Sequence, residues 1–184
     1  MIECEIKLEI KNPEEIKNKL LSLGFTESAR LTETDTYFDN QNGDIRSKDN
    51  ALRIRETINH TKNHTYCQIN YKDKKLDNKT MSRPEYEVEV SSAEDMAKIL
   101  SFLGYYPVSV QVKKNRTTLR DVSLTACIDC VEGLGDFLEL EAIVANEDQK
   151  DYELNRINGI LAKLGYSLAD TTTTSYLSAL QNMQ

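Results

Sequence analysis

The sequence predicts an α+β fold, in which an antiparallel sheet closes into a β-barrel and helices pack against its outside. One observation is that charged and apolar residues alternate in the first strand-like segment and again in later ones, because side chains in a strand point alternately to opposite faces. A second is that three segments with helical spacing each end in a Leu-Gly-aromatic sequence. A barrel with its charged faces inward would enclose a polar tunnel.

The opening segment shows the alternation most clearly. One face would carry the apolar side chains of Ile2, Cys4, Ile6, Leu8 and Ile10, and the other the charged side chains of Glu3, Glu5, Lys7 and Glu9. The charged face requires partners, so we expect it to meet other charged strands.

The later segments repeat this pattern, with the two signs of charge on different segments. The basic segments are Leu52–Arg55 and Val112–Arg116, and the acidic segments are Glu85–Val90 and Leu138–Glu141. In two further segments, Asp35, Tyr37 and Asp39 alternate with Thr36 and Phe38, and Lys72 follows the strand-like run Thr65–Tyr71. If these faces point inward, they form a site for a metal ion and a polyanion.

A simpler alternative is a half-buried antiparallel sheet whose charged face is solvated, since this also produces alternation. Each segment taken alone fits that alternative better. Together they fit it less well, because neighbouring carboxylates about 5 Å apart repel by roughly 3 kcal/mol at an effective dielectric constant of about 20. Glu85, Glu87 and Glu89 share one face and would need cations, which divalent ions with oxygen ligands supply.

Three helices are each predicted by a capping residue or proline at the start and a glycine at the end. They run from Asn12–Pro13 to Gly24, from Ser91 or Ser92 to Gly104, and from about Asp148 to Gly165. A short helix carrying Tyr176, Leu177 and Leu180 is expected after the run Thr171–Thr174. The shared Leu-Gly-aromatic ending indicates either a duplicated unit or a common C-terminal cap.

Length and composition limit the class of protein. The 184 residues form a single domain, 1–184, or two tightly fused halves of about 1–90 and 91–184. The net charge of -7 argues against nucleic-acid binding through a basic surface. The apolar runs are too short to span a membrane, and the N-terminus lacks a basic-then-apolar signal layout. We therefore expect a cytoplasmic protein.

The cysteines and histidines offer little chemistry. Cys127 and Cys130 have C-x-x-C spacing but lie in an extended run, so we expect buried free thiols. His60 and His64 lie in a polar loop without cysteine or carboxylate neighbours and make a poor metal site. We recognise neither an activated nucleophile nor a glycine-rich phosphate loop. What remains is positioning and charge neutralisation, on which phosphoryl transfer largely depends.

An ordered set of motifs extends over nearly the whole chain. It comprises Glu3-x-Glu5-x-Lys7, Asp35-Thr36-Tyr37-Phe38-Asp39, Ala51-Leu52-Arg53-Ile54-Arg55, Tyr71-Lys72, Arg83-x-Glu85-x-Glu87, Lys113-Lys114-Asn115-Arg116, the run Asp129–Glu141, and Ser175-Tyr176. This set resembles the CYTH superfamily, the triphosphate tunnel metalloenzymes, and in particular its class IV adenylyl cyclase branch. The resemblance implies an eight-stranded antiparallel closed barrel, the triphosphate tunnel, with helices packed outside.

The resemblance also implies roles for individual residues. The ligands of Mg²⁺ or Mn²⁺ would be Glu3, Glu5, Glu85, Glu87, Asp129, Glu139 and Glu141. The triphosphate would be bound by Lys7, Arg53, Arg55, Lys72, Lys114 and Arg116, with Glu5, Lys7 and Lys72 as the catalytic residues. One position departs from the pattern, since many relatives carry arginine directly before the late Ser-Tyr, where this chain has Thr174.

The remaining conspicuous residues are assigned by alternation. Arg83, Lys113 and Glu9 fit the surface as well as the tunnel wall. Phe38, Leu138 and Leu140 alternate away from the charged positions and are expected in the core.

Three functions would share this site, each with a triphosphate-containing small molecule as partner. In a cyclase, the ribose 3′-hydroxyl of ATP attacks the α-phosphorus and pyrophosphate leaves. In a triphosphatase, water cleaves inorganic tripolyphosphate, thiamine triphosphate or a nucleoside triphosphate. A non-catalytic polyphosphate or nucleotide sensor is the third. The motifs resemble the cyclase branch more closely, so we expect a cyclase, and the sequence leaves a homodimer open.

Overall fold

The computed structural model describes residues 2–77, 80–144 and 149–184, without the side chains of Ile2, Glu3 and Lys150. The strands within these residues are β1 Ile2–Glu9, β2 Thr26–Asp39, β3 Ala51–Asn59, β4 His64–Lys72, β5 Arg83–Val90, β6 Tyr106–Arg120, β7 Thr125–Val131 and β8 Gly135–Val144. The helices are α1 Pro13–Ser22, α2 Asp44–Ser47, α3 Ala93–Phe102, α4 Lys150–Leu164 and α5 Tyr176–Asn182, with a 3-10 turn at Leu168–Asp170.

The strands form one strongly curled antiparallel sheet in the order β1-β5-β4-β3-β2-β6-β7-β8. Strand β1 pairs with β8 along its whole length, from Ile2 opposite Val144 to Glu9 opposite Phe137. The other edge of β1 meets β5 through two residue pairs, at Pro84 and Arg83. The predicted eight-stranded antiparallel sheet with helices is therefore confirmed, and its closure into a barrel depends on this short β1–β5 contact.

On most strands the charged face points inward and the apolar face points outward against helices, whereas Tyr86 and Val88 on β5 are exposed. On β1, Glu5 and Lys7 border the interior, whereas Ile6 and Leu8 join the main core. That core lies between the sheet and helices α1 and α4, and its helical members include Ile16, Leu20, Ile157, Leu161 and Leu164. The inward charges on the strands other than β5 are largely buried, with Lys7 only 2% exposed, so the alternative of a solvated charged face is wrong for those strands. On β5, Glu87 and Glu89 are exposed.

Two smaller apolar clusters place the other helices. Leu100 of α3 packs on Phe38, Leu52 and Ile54, which covers the outside of β3. Tyr176 of α5 packs on Val112 and Val131, which places α5 beside the interior rather than outside the sheet. The aromatic and leucine positions expected in the core are confirmed, because Phe38, Leu138 and Leu140 are all buried.

Helix ends follow the predicted chemistry with small shifts. The side chain of Asn12 caps α1 by accepting from the Glu15 amide, and Ser92, the second of the two predicted serines, caps α3. Helix α4 is described from Lys150, and the predicted start at Asp148 lies outside the described residues. Ser175 caps α5, one residue after the predicted threonine run. Capping oxygens satisfy amides that the first helical turn leaves unpaired.

The cysteines, the lengths of the helices and the order of the elements each bear on an expectation from the sequence. Cys127 and Cys130 are free thiols, and Cys127 is buried, but Cys130 is exposed, because its position on β7 faces solvent. Among the described residues, no helix is long and apolar enough to cross a membrane. The element order β1-α1-β2-α2-β3-β4 is followed by β5-α3-β6-β7-β8, and a duplication of two halves stays a prediction.

Candidate active site

The inward strand faces enclose a central cavity of about 700 Å³, within the range of about 300–1,000 Å³ typical of small-molecule sites. The six predicted triphosphate-binding residues, here called the cation array, all border it: Lys7, Arg53, Arg55, Lys72, Lys114 and Arg116. Five predicted metal ligands border it as well: Glu5, Glu85, Glu87, Glu139 and Glu141. Glu3 belongs to β1 by its backbone, and its side chain lies outside the described residues.

Asp35 holds two members of the array from the side away from the cavity. Arg55 donates through Nε to Oδ1 at 2.6 Å and through Nη2 to Oδ2 at 2.7 Å, and Arg53 Nη1 donates to Oδ2 at 3.2 Å. Asp35 is 1% exposed. Because one buried carboxylate bonds both guanidinium groups, their orientations are fixed before any ligand binds.

Asp129 holds Arg116 and Lys114 in the way that Asp35 holds Arg53 and Arg55. Arg116 donates to its two oxygens through Nε and Nη2, both at 2.6 Å. Oδ2 also accepts from Lys114 Nζ and from the Tyr176 hydroxyl, each at 3.1 Å. Both oxygens of Asp129 thus accept from protein donors, and the side chain is fully buried; its metal role stays a prediction.

Glu33 lies between Arg55, which Asp35 holds, and Lys114, which Asp129 holds. Its Oε2 lies 3.3 Å from Arg55 Nη1 and 3.3 Å from Lys114 Nζ. Burial opposes its ionisation, but the cations of Arg55, Lys114 and Arg116 lower the pKa of Glu33 to about 2. Burial also opposes the ionisation of Asp35, but the cations of Arg53 and Arg55 hold the pKa of Asp35 well below its usual range. Both carboxylates are therefore ionised at neutral pH and keep the array in place.

Lys7 is held by the segment that precedes α5. Its Nζ donates to the Thr174 carbonyl at 2.6 Å and lies 4.2 Å from the centre of the Tyr176 ring. The Thr172 amide donates to the Lys7 carbonyl at 2.8 Å. Burial lowers the pKa of Lys7, although Glu139 and Glu5 oppose the shift. Many relatives carry arginine at the position of Thr174. In this chain, the backbone carbonyl of Thr174 positions Lys7, a member of the cation array.

The acidic residues of β1 and β8 face one another across the strand pair. Glu5 is directly opposite Glu141, and Lys7 is directly opposite Glu139. Like charges directly opposite each other are destabilising. Cations lie nearby, with Lys72 Nζ 4.0 Å from Glu5 and Arg116 Nη1 3.8 Å from Glu141, and Arg116 also contacts Glu139.

These carboxylates fit a divalent cation by their chemistry. Within the described part of the chain, no three His, Cys, Asp or Glu residues lie close enough together to hold a metal ion. Mg²⁺, however, is usually bound by one or two carboxylates together with water and substrate phosphates. Glu5 and Glu141, which are paired in the register of β1 and β8 and both border the cavity, provide two such carboxylates.

The remaining predicted acidic residues belong to other partners. Glu85 lies 2.9 Å from Lys72 Nζ and 3.6 Å from Arg53 Nη2, so it pairs with two members of the cation array. Glu87 is exposed and accepts from the side-chain amides of Gln68 and Asn70. The metal role of Glu85 and Glu87 stays a prediction.

Sequence reasoning missed part of this site. Glu33 was detectable, because it lies two residues before Asp35 on the same face of β2. For Arg83 the sequence left the surface and the tunnel wall open; it is 5% exposed, borders the cavity and donates to the carbonyls of Asp49 and Asp73. Because the partners of Arg83 are backbone carbonyls in distant loops, no pattern of residue types in the sequence indicates these contacts. Glu9 and Lys113, for which the same two alternatives were open, are exposed.

Comparisons with known proteins agree with this architecture. The CYTH domain family matches residues 1–176. A Methanocaldococcus jannaschii protein named "Putative adenylate cyclase" is 34% identical over 177 residues, which cover 96% of this chain and 97% of that protein.

Solved structures show the same fold. A Pyrococcus horikoshii protein superposes with a TM-score of 0.88 and 29% identity, covering 99% of both chains. A Hippeastrum protein, described as a "Putative adenylyl cyclase" with "a dominant triphophatase activity", has a TM-score of 0.67 and 19% identity, covering 100% of this chain and 96% of that one.

Proposed function

This chain belongs to the CYTH domain family, and on that basis we propose that it is a metal-dependent enzyme acting on a triphosphate. More specifically, we propose an adenylyl cyclase of the class IV type, which converts ATP to cyclic AMP and pyrophosphate. The observation that carries the proposal is the cation array around one cavity, supported from behind by the buried Glu33, Asp35 and Asp129. The similarity to a relative named as an adenylate cyclase supports the choice of reaction.

The array is suited to bind the phosphate chain. Arginine and lysine donors form charge-assisted hydrogen bonds with phosphate oxygens. The Nε of Arg53 is buried without a hydrogen-bond partner, and an unmade bond of this kind costs about 1–3 kcal/mol. A phosphate oxygen in the cavity would supply the missing acceptor. Lys7 and Lys72 would neutralise the charge that develops on the departing pyrophosphate.

The carboxylates of β1 and β8 would hold the metal. We propose Glu5, Glu139 and Glu141 as ligands of Mg²⁺ or Mn²⁺, with Glu3 next along β1 and Glu85 and Glu87 in supporting positions. When bound, such an ion neutralises phosphate charge and makes the phosphorus easier to attack. The proposed tunnel also requires the barrel to stay closed at the β1–β5 contact.

A triphosphatase is the second candidate. The same array serves both reactions, and the Hippeastrum fold relative is described as having dominant triphosphatase activity. A shift of about 1 Å in the register of the phosphate chain could place water in line instead of the ribose hydroxyl.

Product analysis separates these candidates. The protein is incubated with ATP, GTP, tripolyphosphate or thiamine triphosphate and with Mg²⁺ or Mn²⁺, and the products are resolved chromatographically. Cyclic AMP and pyrophosphate are expected from ATP. ADP and orthophosphate without cyclic AMP, or much faster cleavage of tripolyphosphate, would assign a triphosphatase. Binding without turnover would assign a sensor.

A further inference from the structure

Strand β5 has no neighbouring strand along most of one edge. It pairs with β4 from Glu85 to Val90, but on its other side it meets β1 through two residues, Arg83 and Pro84. Within the part of the chain that the structure describes, no other strand lies beside that side of β5. The segment Tyr86–Val90 is here called the β5 edge, and its outward backbone groups can pair with a further strand.

Both faces of the β5 edge are exposed as well. Tyr86 and Val88 share the outer face and are 63% and 61% exposed, and Glu87 and Glu89 on the opposite face are also exposed. Helix α3 packs against β3 and β4, and the apolar cluster beneath it includes no residue of β5. The β5 edge therefore presents an apolar face, an acidic face and a row of backbone groups.

The negative charges on the acidic face lack cationic partners. Glu87 accepts from two neutral side-chain amides. Among the described residues, no lysine or arginine lies within ion-pair distance of Glu87 or Glu89, whereas the preceding Glu85 is paired with Lys72. Two carboxylates on the same face of one strand repel each other, so a cation placed over that face would be attracted to both.

This charge disfavours pairing between the β5 edges of two copies of the chain. In antiparallel pairing about a two-fold axis the same faces meet, so Glu87 and Glu89 of one copy would face the same residues of the other. Like charges that are directly opposite destabilise a strand pair. A strand with basic side chains on that face has the complementary charge, and apolar side chains on its other face would cover Tyr86 and Val88.

We propose that the β5 edge is a docking site for an extended segment of another polypeptide, in which basic residues alternate with apolar ones. The segment would continue the sheet by pairing its backbone with β5. Because side chains alternate between faces with a period of two, one register places every basic side chain on the acidic face and every apolar side chain on the apolar face. This inference does not depend on the reaction proposed for the cavity.

The test measures binding by fluorescence anisotropy with a labelled synthetic peptide of alternating lysine and valine. Two control peptides share its composition or its sequence. One has its lysines and valines in separate blocks, and the other carries N-methyl groups on its backbone amides, which removes the donors of a strand. The alternating peptide should bind about tenfold or more tightly than either control, the size of one to two hydrogen bonds.

Two variants test the two faces of the β5 edge. Glu89→Lys should weaken the alternating peptide about fivefold or more, because it puts a like charge opposite the lysines. Val88→Ser should weaken it about threefold, because apolar contact is lost. Glu132→Lys is the matched control for charge, since Glu132 is exposed in the turn between β7 and β8. Neither Glu89 nor Val88 borders the cavity, so unchanged tripolyphosphate binding would show that the variants are folded.

Hydrogen exchange locates the bound peptide. The amides of Tyr86–Val90 should exchange more slowly in the complex, and those of α4 should be unchanged. Equal binding of the alternating and block peptides, unchanged exchange in the β5 edge, or wild-type affinity in Glu89→Lys would each overturn the proposal. So would slower exchange of this segment at higher protein concentration without peptide, because that result would assign the β5 edge to a second copy of the chain.

Discussion

Arg55 and Asp35 form a two-point ion pair between neighbouring strands, with nitrogen–oxygen distances of 2.6 and 2.7 Å. The two residues are directly opposite in the register of β2 and β3. Asp35 does not border the cavity, whereas Arg55 does. The carboxylate therefore acts as a fixed support behind a cation that remains available to a ligand.

Replacing that support should destabilise the protein. Asp35→Asn keeps the shape but leaves the buried cations of Arg53 and Arg55 uncompensated, so we expect a loss of about 3–5 kcal/mol in unfolding free energy. Tripolyphosphate, an anion, should restore more stability to this variant than to the wild-type protein. Urea unfolding with and without tripolyphosphate measures both effects. Glu56→Gln on the exposed face of β3 is the control, and a variant as stable as this control would contradict the support role.

The arginines of the array should determine affinity for the phosphate chain. Arg53→Ala, Arg55→Ala and Arg116→Ala should each weaken tripolyphosphate binding by roughly 1.5–3 kcal/mol, the size of a charge-assisted hydrogen bond. Arg30→Ala is the control, since Arg30 is largely exposed and pairs with Glu27 outside the cavity. Calorimetric titration of folded variants gives the affinities. Unchanged affinity in all three would remove the array from ligand binding.

Glu33 should make stability depend on acid pH. Its pKa is about 2 in the folded protein against a reference of 4.5, so its contribution is complete above the reference value and is lost as pH falls toward 2. The full contribution is about 3 kcal/mol. Compared with Glu33→Gln, the stability advantage of the wild-type protein should shrink by about 2 kcal/mol between pH 6 and pH 3. Denaturant unfolding at both pH values tests this, and a constant difference would refute it.

In contrast to the charge of Glu33, the charge of Lys7 should lower the stability of the folded protein. Its pKa lies below the reference of 10.5 because of burial, so the unfolded chain binds more protons between the two values and stability rises with pH across that window. Lys7→Met should therefore be more stable than wild type at neutral pH, yet bind tripolyphosphate more weakly. Thermal unfolding and calorimetry report the two effects. Lys11→Met, on the exposed segment after β1, controls for a general effect of the substitution.

Activity should require the carboxylate of Glu5. Glu5→Gln removes the charge and keeps the shape, and we expect activity to fall by roughly a hundredfold or more, about 2.7 kcal/mol of barrier. The fold should persist, because the substitution also relieves repulsion from Glu141 directly opposite. Full activity in this variant, or in the presence of a chelator, would exclude the metal mechanism. Glu9→Gln near the exposed end of β1 is the matched control.

The sequence by itself determined the elements, the two faces of each strand and the composition of the interior. Alternation over β1 was enough to assign Glu5 and Lys7 to one face and Ile6 and Leu8 to the other, because the side-chain period of a strand is fixed by backbone geometry. Capping residues and glycines located the helices within one or two residues for the same local reason.

Only the tertiary structure decided which charges meet. Asp129 and Glu139 look alike in sequence, yet Asp129 lies behind Arg116 and Tyr176 while Glu139 borders the cavity. Arg83 donates to backbone carbonyls of two separate loops, and Lys7 donates to a carbonyl 167 residues away. Such pairings depend on strand order and register across the curled sheet, whereas sequence periodicity specifies only the face on which a residue lies.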